Sequence, residues 1–147
     1  MNDNGLTADE EAAIEIVLRD KIGSLVAGCE SLEMDVAFQS FSRSPAFLRM
    51  TTDGSLCDSE TYISDNVQYM GNCSRFRLHT RDLQVRVLGR AAAVVAWSYS
   101  AEASFRSGEQ AIVEKAGATF VFGLVRGEWQ IVYYHESSAP PIRKPSE

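Results

Sequence analysis

The chain has 147 residues, 45% of them hydrophobic and 23% charged, with a formal net charge of -6. That length suits one domain with its own core. The negative charge argues against a nucleic-acid partner, which needs clustered Lys and Arg, and against adsorption to an anionic membrane. No apolar run approaches the roughly 18 residues of a membrane span. The opening MNDNGLTADEE is acidic and polar, unlike a secretory signal. Cys29, Cys57 and Cys73 form no CxxC pair, so a reduced, cytoplasmic setting with inert thiols is expected.

Thr7-Ala8-Asp9-Glu10 has the form of a capping box, with Thr7 at the N-cap and Glu10 reaching back to it. Ile14, Val17, Leu18, Ile22 and Leu25 then recur at helical spacing, and Gly28 is the expected stop. Ser31 is the expected cap of a second, short helix whose buried stripe is Met34, Ala37, Phe38 and Phe41. Ser44-Pro45 ends it. Phe47 to Thr51 reads as a strand, Asp53-Gly54 as a hairpin turn and Ser55 to Cys57 as the return. Asp58 or Ser59 opens a third helix, with Tyr62, Ile63, Asn66, Val67 and Met70 on one side, and Gly71-Asn72 closes it.

From Arg75 the period becomes two. Phe76 and Leu78 fall on one parity, whereas Leu83, Val85 and Val87 fall on the other. A strand changes faces only through an extra residue, so a β-bulge is expected near Thr80-Arg81-Asp82. Three further strands follow, Ala91 to Phe105, Ala111 to Val125 and Trp129 to Ser137, separated by turns at Ser107-Gly108 and Arg126-Gly127. Helices first and a bent antiparallel meander afterwards predict an α+β fold, a sheet curved around helices into a cone with a pocket at its mouth. Residues 1–138 form the expected single domain. Residues 139–147, with three prolines, form an extended or disordered tail.

The element order and the closing GEWQIVYYHESSAPP resemble the SnoaL-like branch of the nuclear transport factor 2-like superfamily. The same stretch resembles the association (hub) domain of calcium/calmodulin-dependent protein kinase II. The resemblance is specific from Thr119 to Pro141, where aromatic and glycine positions, Trp129, His135 and Ser137 match. It implies a cone-shaped α+β barrel and frequent homodimers. It does not imply one activity, because such members include isomerases, cyclases, dehydratases, epoxide hydrolases and non-catalytic assembly modules.

Alternation sorts the candidate site residues. Val95, Trp97, Tyr99 and Phe105 share one face of their strand; Ala118, Phe120, Phe122 and Leu124 share one face of the next. On the last strand the inward set is Val132, Tyr134 and Glu136, or else Trp129, Ile131, Tyr133 and His135. The hub resemblance favours the first set. In the hub, cavity arginines occupy the positions of Trp97, Phe120 and Glu136, so their replacement here implies an apolar or weakly cationic small organic ligand.

Glu136, a carboxylate on an aromatic wall, is the candidate acid or base, weighed against a solvated strand-end glutamate. His135 has the opposite parity and reads more simply as an interface histidine. Asp82 is a further candidate because bulges can re-aim side chains. Asp53 and Asp58 are turn and cap residues. Tyr62, Tyr69, Tyr99 and Tyr134 are candidate phenol donors; Trp97, Phe120 and Phe122 are candidate walls. The superfamily's isomerases place a tyrosine on the first helix, and this first helix has none. No metal-ligand spacing, Walker loop or dinucleotide fingerprint occurs, so no cofactor is expected. The other sheet face, with Val94, Ala96, Val121, Ile131 and Tyr133, predicts a two-fold homodimer. The alternative is a hub-like assembly module whose cavity is packed shut by Trp97 and Phe120.

Overall fold

A computed structural model describes residues 1–146. Three helices, α1 (Ala8–Glu30), α2 (Met34–Ala37) and α3 (Ser59–Gly71), lie in the concavity of a seven-stranded sheet. The strands are β1 (Leu48–Met50), β2 (Leu56–Cys57), β3 (Cys73–Gly89), β4 (Ala92–Phe105), β5 (Gln110–Val125), β6 (Glu128–Ser138) and β7 (Ile142–Lys144). The order is β2-β1-β6-β5-β4-β3, with β7 also on β5. The long meander is antiparallel, and β1 joins β6 in parallel. This is the α+β architecture of helices and a strongly bent sheet that the residue pattern predicts; the sheet curves without closing.

The helix ends follow from their caps. Thr7 Oγ accepts from the Glu10 amide at 3.2 Å, and the Glu10 carboxylate accepts from the Thr7 amide at 2.9 Å. Asp58 accepts from the Thr61 amide and opens α3. The end of α1 departs from expectation. Gly28 lies inside the helix, the C-cap is Ser31, and Leu32 takes the left-handed conformation at φ 60°. Gly28 is there because α2 approaches closely: a Cβ on it would sit 2.4 Å from the Ala37 amide nitrogen. Ser31 therefore ends α1 and does not cap α2, whose N-cap is Glu33. On α1, Leu18 and Ile22 are buried, but Val17 is exposed.

Five one-residue irregularities interrupt the ladders; besides those at Ser74 and Leu88, near the ends of β3, three reassign the sheet's faces. On β3, Thr80 pairs with Tyr99 and Asp82 with Ser98, leaving Arg81 extra, as the parity change predicts. On β5, Val113 pairs with Ala101 and Ala116 with Tyr99, so Glu114-Lys115 oppose one residue. On β6, Ile131 pairs with Phe122 and Tyr133 with Val121, so Val132 is extra. This last bulge corrects both proposed parities for β6. Trp129 and Ile131 are buried before it, and Tyr134 after it. A bulge inverts the alternation, so each parity holds for half the strand.

The β5 bulge also decides the fate of the tail. Beyond Ala116, β6 leaves β5, and after Pro140-Pro141 the chain returns as β7 beside Gln110–Ile112. Ending the chain at Ser138 should expose that strand edge and lower the melting temperature by about 3 °C, the equivalent of ~1 kcal/mol in a domain of this size. Calorimetry on the shortened chain measures it; an unchanged melting temperature would show that β7 adds nothing.

The core is an aromatic sequence running between α2, α3 and the sheet. Phe41 meets Phe38, Phe47, Tyr62 and Tyr134 with ring centroids 5.3–5.9 Å apart. Edge-on and tilted pairs of this kind suit the ring quadrupole.

Candidate functional site

The mouth of the cone holds a cavity of about 290 Å³. Helix α1 contributes Leu25 and Cys29, and α3 contributes Tyr62, Asn66, Tyr69 and Met70. The sheet contributes Trp97, Tyr99, Phe120, Tyr134, Glu136 and Ser138. Glu136 is the one carboxylate of the lining, which contains no Lys or Arg.

Glu136 is brought inward by the Val132 bulge. Its Oε2 accepts two phenol hydrogen bonds, from Tyr134 at 2.5 Å and from Tyr99 at 3.2 Å. Its Oε1 carries no hydrogen bond from the described residues. Tyr99 stacks on Trp97 with centroids 4.0 Å apart, and the Trp97 indole N–H donates to Thr80 Oγ1 at 2.9 Å. Trp97 is thereby pinned to the wall beside the β3 bulge and leaves the cavity open, which removes the expectation that Trp97 and Phe120 pack it shut.

The phenols are held protonated. Burial, then the Glu136 charge, pushes Tyr99 far above its ordinary value. Burial does the same to Tyr62, followed by the charge of Glu136 and against the opposing charge of Arg49. Tyr134 is raised by burial first, then by Tyr62 and Glu136. All three are hydrogen-bond donors across the neutral range. Since the unfolded phenols ionise near pH ~10, the unfolded chain binds fewer protons than the folded chain above that pH. The stability they confer is complete below ~10 and is lost as pH rises further. An alkaline titration should show these three ionising only with unfolding, so that the phenolate absorbance and the far-ultraviolet circular dichroism change together. Ionisation of all five tyrosines in an intact fold would contradict the burial.

Cys29 also lines the cavity. Burial, and then the neighbouring Glu30 charge, pushes its thiol up to about 12. It is a neutral thiol near pH 7 and a poor nucleophile.

Of the candidates, Trp97, Tyr99, Phe120, Tyr134, Tyr62 and Glu136 meet in this cavity. Phe122 is fully buried in the core and does not line it. Asp82 lies exposed on the outer face of the sheet, where it accepts from Gln84 at 2.9 Å. The bulge at Arg81 leaves it facing away from Glu136. His135 lies on that outer face too, near Asp82 and Ser98.

Arg49 is the cation behind the cavity wall that the sequence pattern conceals. Its guanidinium carbon lies 4.5 Å from the Tyr62 ring centroid and 5.8 Å from that of Tyr134. Its Nε is buried without a hydrogen-bond partner. The cation stacks on the two rings that carry the phenols. The contact exists because β1 pairs in parallel with the distant β6, placing Arg49 opposite Tyr134. A lone arginine between Leu48 and Met50 was the available signal.

Among the described residues no group of three His, Cys, Asp or Glu side chains is placed to hold a metal ion, and no helix is long and apolar enough to cross a membrane.

Comparison with curated proteins gives no significant match. Solved structures do share the fold. A nuclear transport factor 2-like superfamily protein from Salmonella enterica aligns with a TM-score of 0.75 and 18% identity, covering 88% of this chain and 93% of that one. A hexachlorocyclohexane dehydrochlorinase from Novosphingobium barchaimii gives 0.77 at 8% identity, with 94% of both chains covered. The association domain of calcium/calmodulin-dependent protein kinase II from C. elegans gives 0.68 at 18% identity, covering 88% of this chain and 98% of that one. Identities this low establish fold alone. The model of the SnoaL-like domain, by contrast, matches residues 24–142, most of the sequence and all of the cavity-forming strands. The chain belongs to the SnoaL-like domain family.

Proposed function

We propose that this chain binds a small, mostly apolar organic molecule in the cone cavity and moves a proton on it without a cofactor. The reaction class is isomerisation, cyclisation or elimination, including dehydration. The observation that carries this is one carboxylate oxygen held by two neutral phenols on the wall of an otherwise apolar cavity. The two phenols fix Glu136, and its free Oε1 is the atom that takes a proton from carbon. Both phenol hydrogens are engaged by Glu136, and the aromatic walls exclude water. The lining has no cationic side chain, which suits a neutral or weakly cationic ligand over a carboxylate. That a dehydrochlorinase shares the scaffold is compatible with elimination chemistry on it.

The test needs no prior substrate. The protein is incubated in D₂O with a panel of small ketones, secondary alcohols and halides, read by NMR and mass spectrometry. The expected result is a compound that gains deuterium at carbon or loses water or hydrogen halide. Compounds that bind in the cavity without either change would remove the catalytic part and leave a binding protein.

The alternative is a non-catalytic assembly module. It is favoured by the outer sheet face, which no helix covers and on which Val94, Val121 and Tyr133 are half-buried. That face also suits a two-fold homodimer. Native mass spectrometry separates the two. A dimer with a retained small molecule supports the cavity function, and a larger closed ring with an empty cavity supports assembly.

A further inference from the structure

A second cavity, of about 630 Å³, shares no lining residue with the first. It forms where the chain leaves the sheet edge. Residues 40–42 run along β6, with Ser42 N–H donating to the Ile131 carbonyl at 2.9 Å and Ile131 N–H to the Ser40 carbonyl at 2.7 Å. The chain then swings out at Arg43–Phe47 and rejoins β6 as β1, with Leu48 opposite Tyr133. The gap therefore opens at the Val132 bulge, and the β5–β6 turn closes its end.

The polar lining of this gap is Gln39, Ser42, Arg43, Ser44, Arg126 and Gln130, with no carboxylate among the lining residues. The ion pairs among the described residues engage Arg19, His79 and Arg90, so neither Arg43 nor Arg126 is neutralised by one. Two unpaired guanidiniums sharing a cavity in a chain of net charge -6 form a local reversal of sign. Ser42 is only 3% exposed, and its Oγ accepts from the Ser44 amide at 3.1 Å, which leaves its hydroxyl hydrogen to donate. Arg126 is held at φ 53° in a turn where Asn or Gly is the low-cost residue. A bulky cation kept at such a position points to a use for its side chain.

We infer that this cavity between the Arg43–Phe47 loop and the β5–β6 turn binds an oxyanion, gripped by Arg43 and Arg126 with Ser42 as a hydroxyl donor. Guanidinium forks match the planar or tetrahedral oxygens of carboxylate and phosphate. The layer of Phe41 and Phe47 divides this site from Tyr62, whose ring centroid is 5.3 Å from that of Phe41.

Titration of the full chain with inorganic phosphate and with succinate tests this, against chloride at matched ionic strength, read by ¹⁵N NMR at Ser44, Arg126 and Gln130. Saturable shifts with one or both oxyanions are expected, and which one responds identifies the source. Arg43→Gln and Arg126→Asn should each weaken binding by at least about tenfold, the loss of one charge-assisted contact. Asn tolerates the left-handed turn, so the second variant keeps the backbone, and circular dichroism checks both folds. Absence of saturable shifts with either oxyanion, or binding unchanged in both variants, overturns the site.

Discussion

Glu136→Gln should slow proton transfer in the cone cavity by orders of magnitude while leaving the ligand bound. Glutamine keeps the shape of the side chain, and its carbonyl oxygen can still accept from Tyr99 and Tyr134. Its amide NH2 then stands where the free oxygen was and cannot take up a proton. The expected loss in rate is on the order of 10²–10⁴-fold, the usual contribution of a positioned acid or base. Ligand affinity should change by less than about threefold, because contacts made equally in ground and transition states are retained. Tyr134→Phe removes the shorter of the two phenol bonds and should give an intermediate rate. The measurement is deuterium uptake from D₂O alongside ligand titration by calorimetry. Full turnover in the glutamine variant would remove Glu136 from the chemistry.

Gly28→Ala should destabilise the fold by about 3 kcal/mol, although alanine is the better helix former. Its Cβ would lie 2.4 Å from the Ala37 amide nitrogen and 2.8 Å from the Ala37 Cα. Both are backbone atoms, so no rotamer change relieves the overlap, and α1 and α2 must separate. Gly23, five residues earlier in the same helix, is the internal control. A Cβ there meets nothing within 4 Å, so Gly23→Ala should stabilise by up to about 1 kcal/mol. Urea unfolding of the two variants should shift in opposite directions. Equal shifts would show that propensity, and not the close approach, decides at both positions.

The element order was legible because local chemistry wrote it. The Thr7 capping box, the Asp58 cap, and the Asp53-Gly54 and Arg126-Gly127 turns each carry their own physical signature. The Arg81 bulge was readable because Phe76 and Leu78 are visibly out of phase with Leu83, Val85 and Val87. The Val132 bulge was not, since both parities of β6 are apolar there and alternation carries no contrast. Gly28 was read as a helix stop because a glycine that ends a helix and one that admits a neighbouring backbone look alike in sequence. Arg49 stayed hidden because its place opposite Tyr134 comes from the parallel pairing of β1 with the distant β6, which no local pattern encodes. Glu136 and its aromatic neighbours were identifiable from the strands, but the two phenol bonds on one oxygen required the three-dimensional register.

The extra residue at Val132 has a genetic counterpart. Inside and outside on β6 are assigned by strand length, so loss of one codon there would turn half the strand over while preserving every other side chain. Tyr134 and Glu136 could leave the cavity, or return to it, without either being replaced. In such a scaffold a one-residue insertion or deletion would carry the same acid from one side of the sheet to the other.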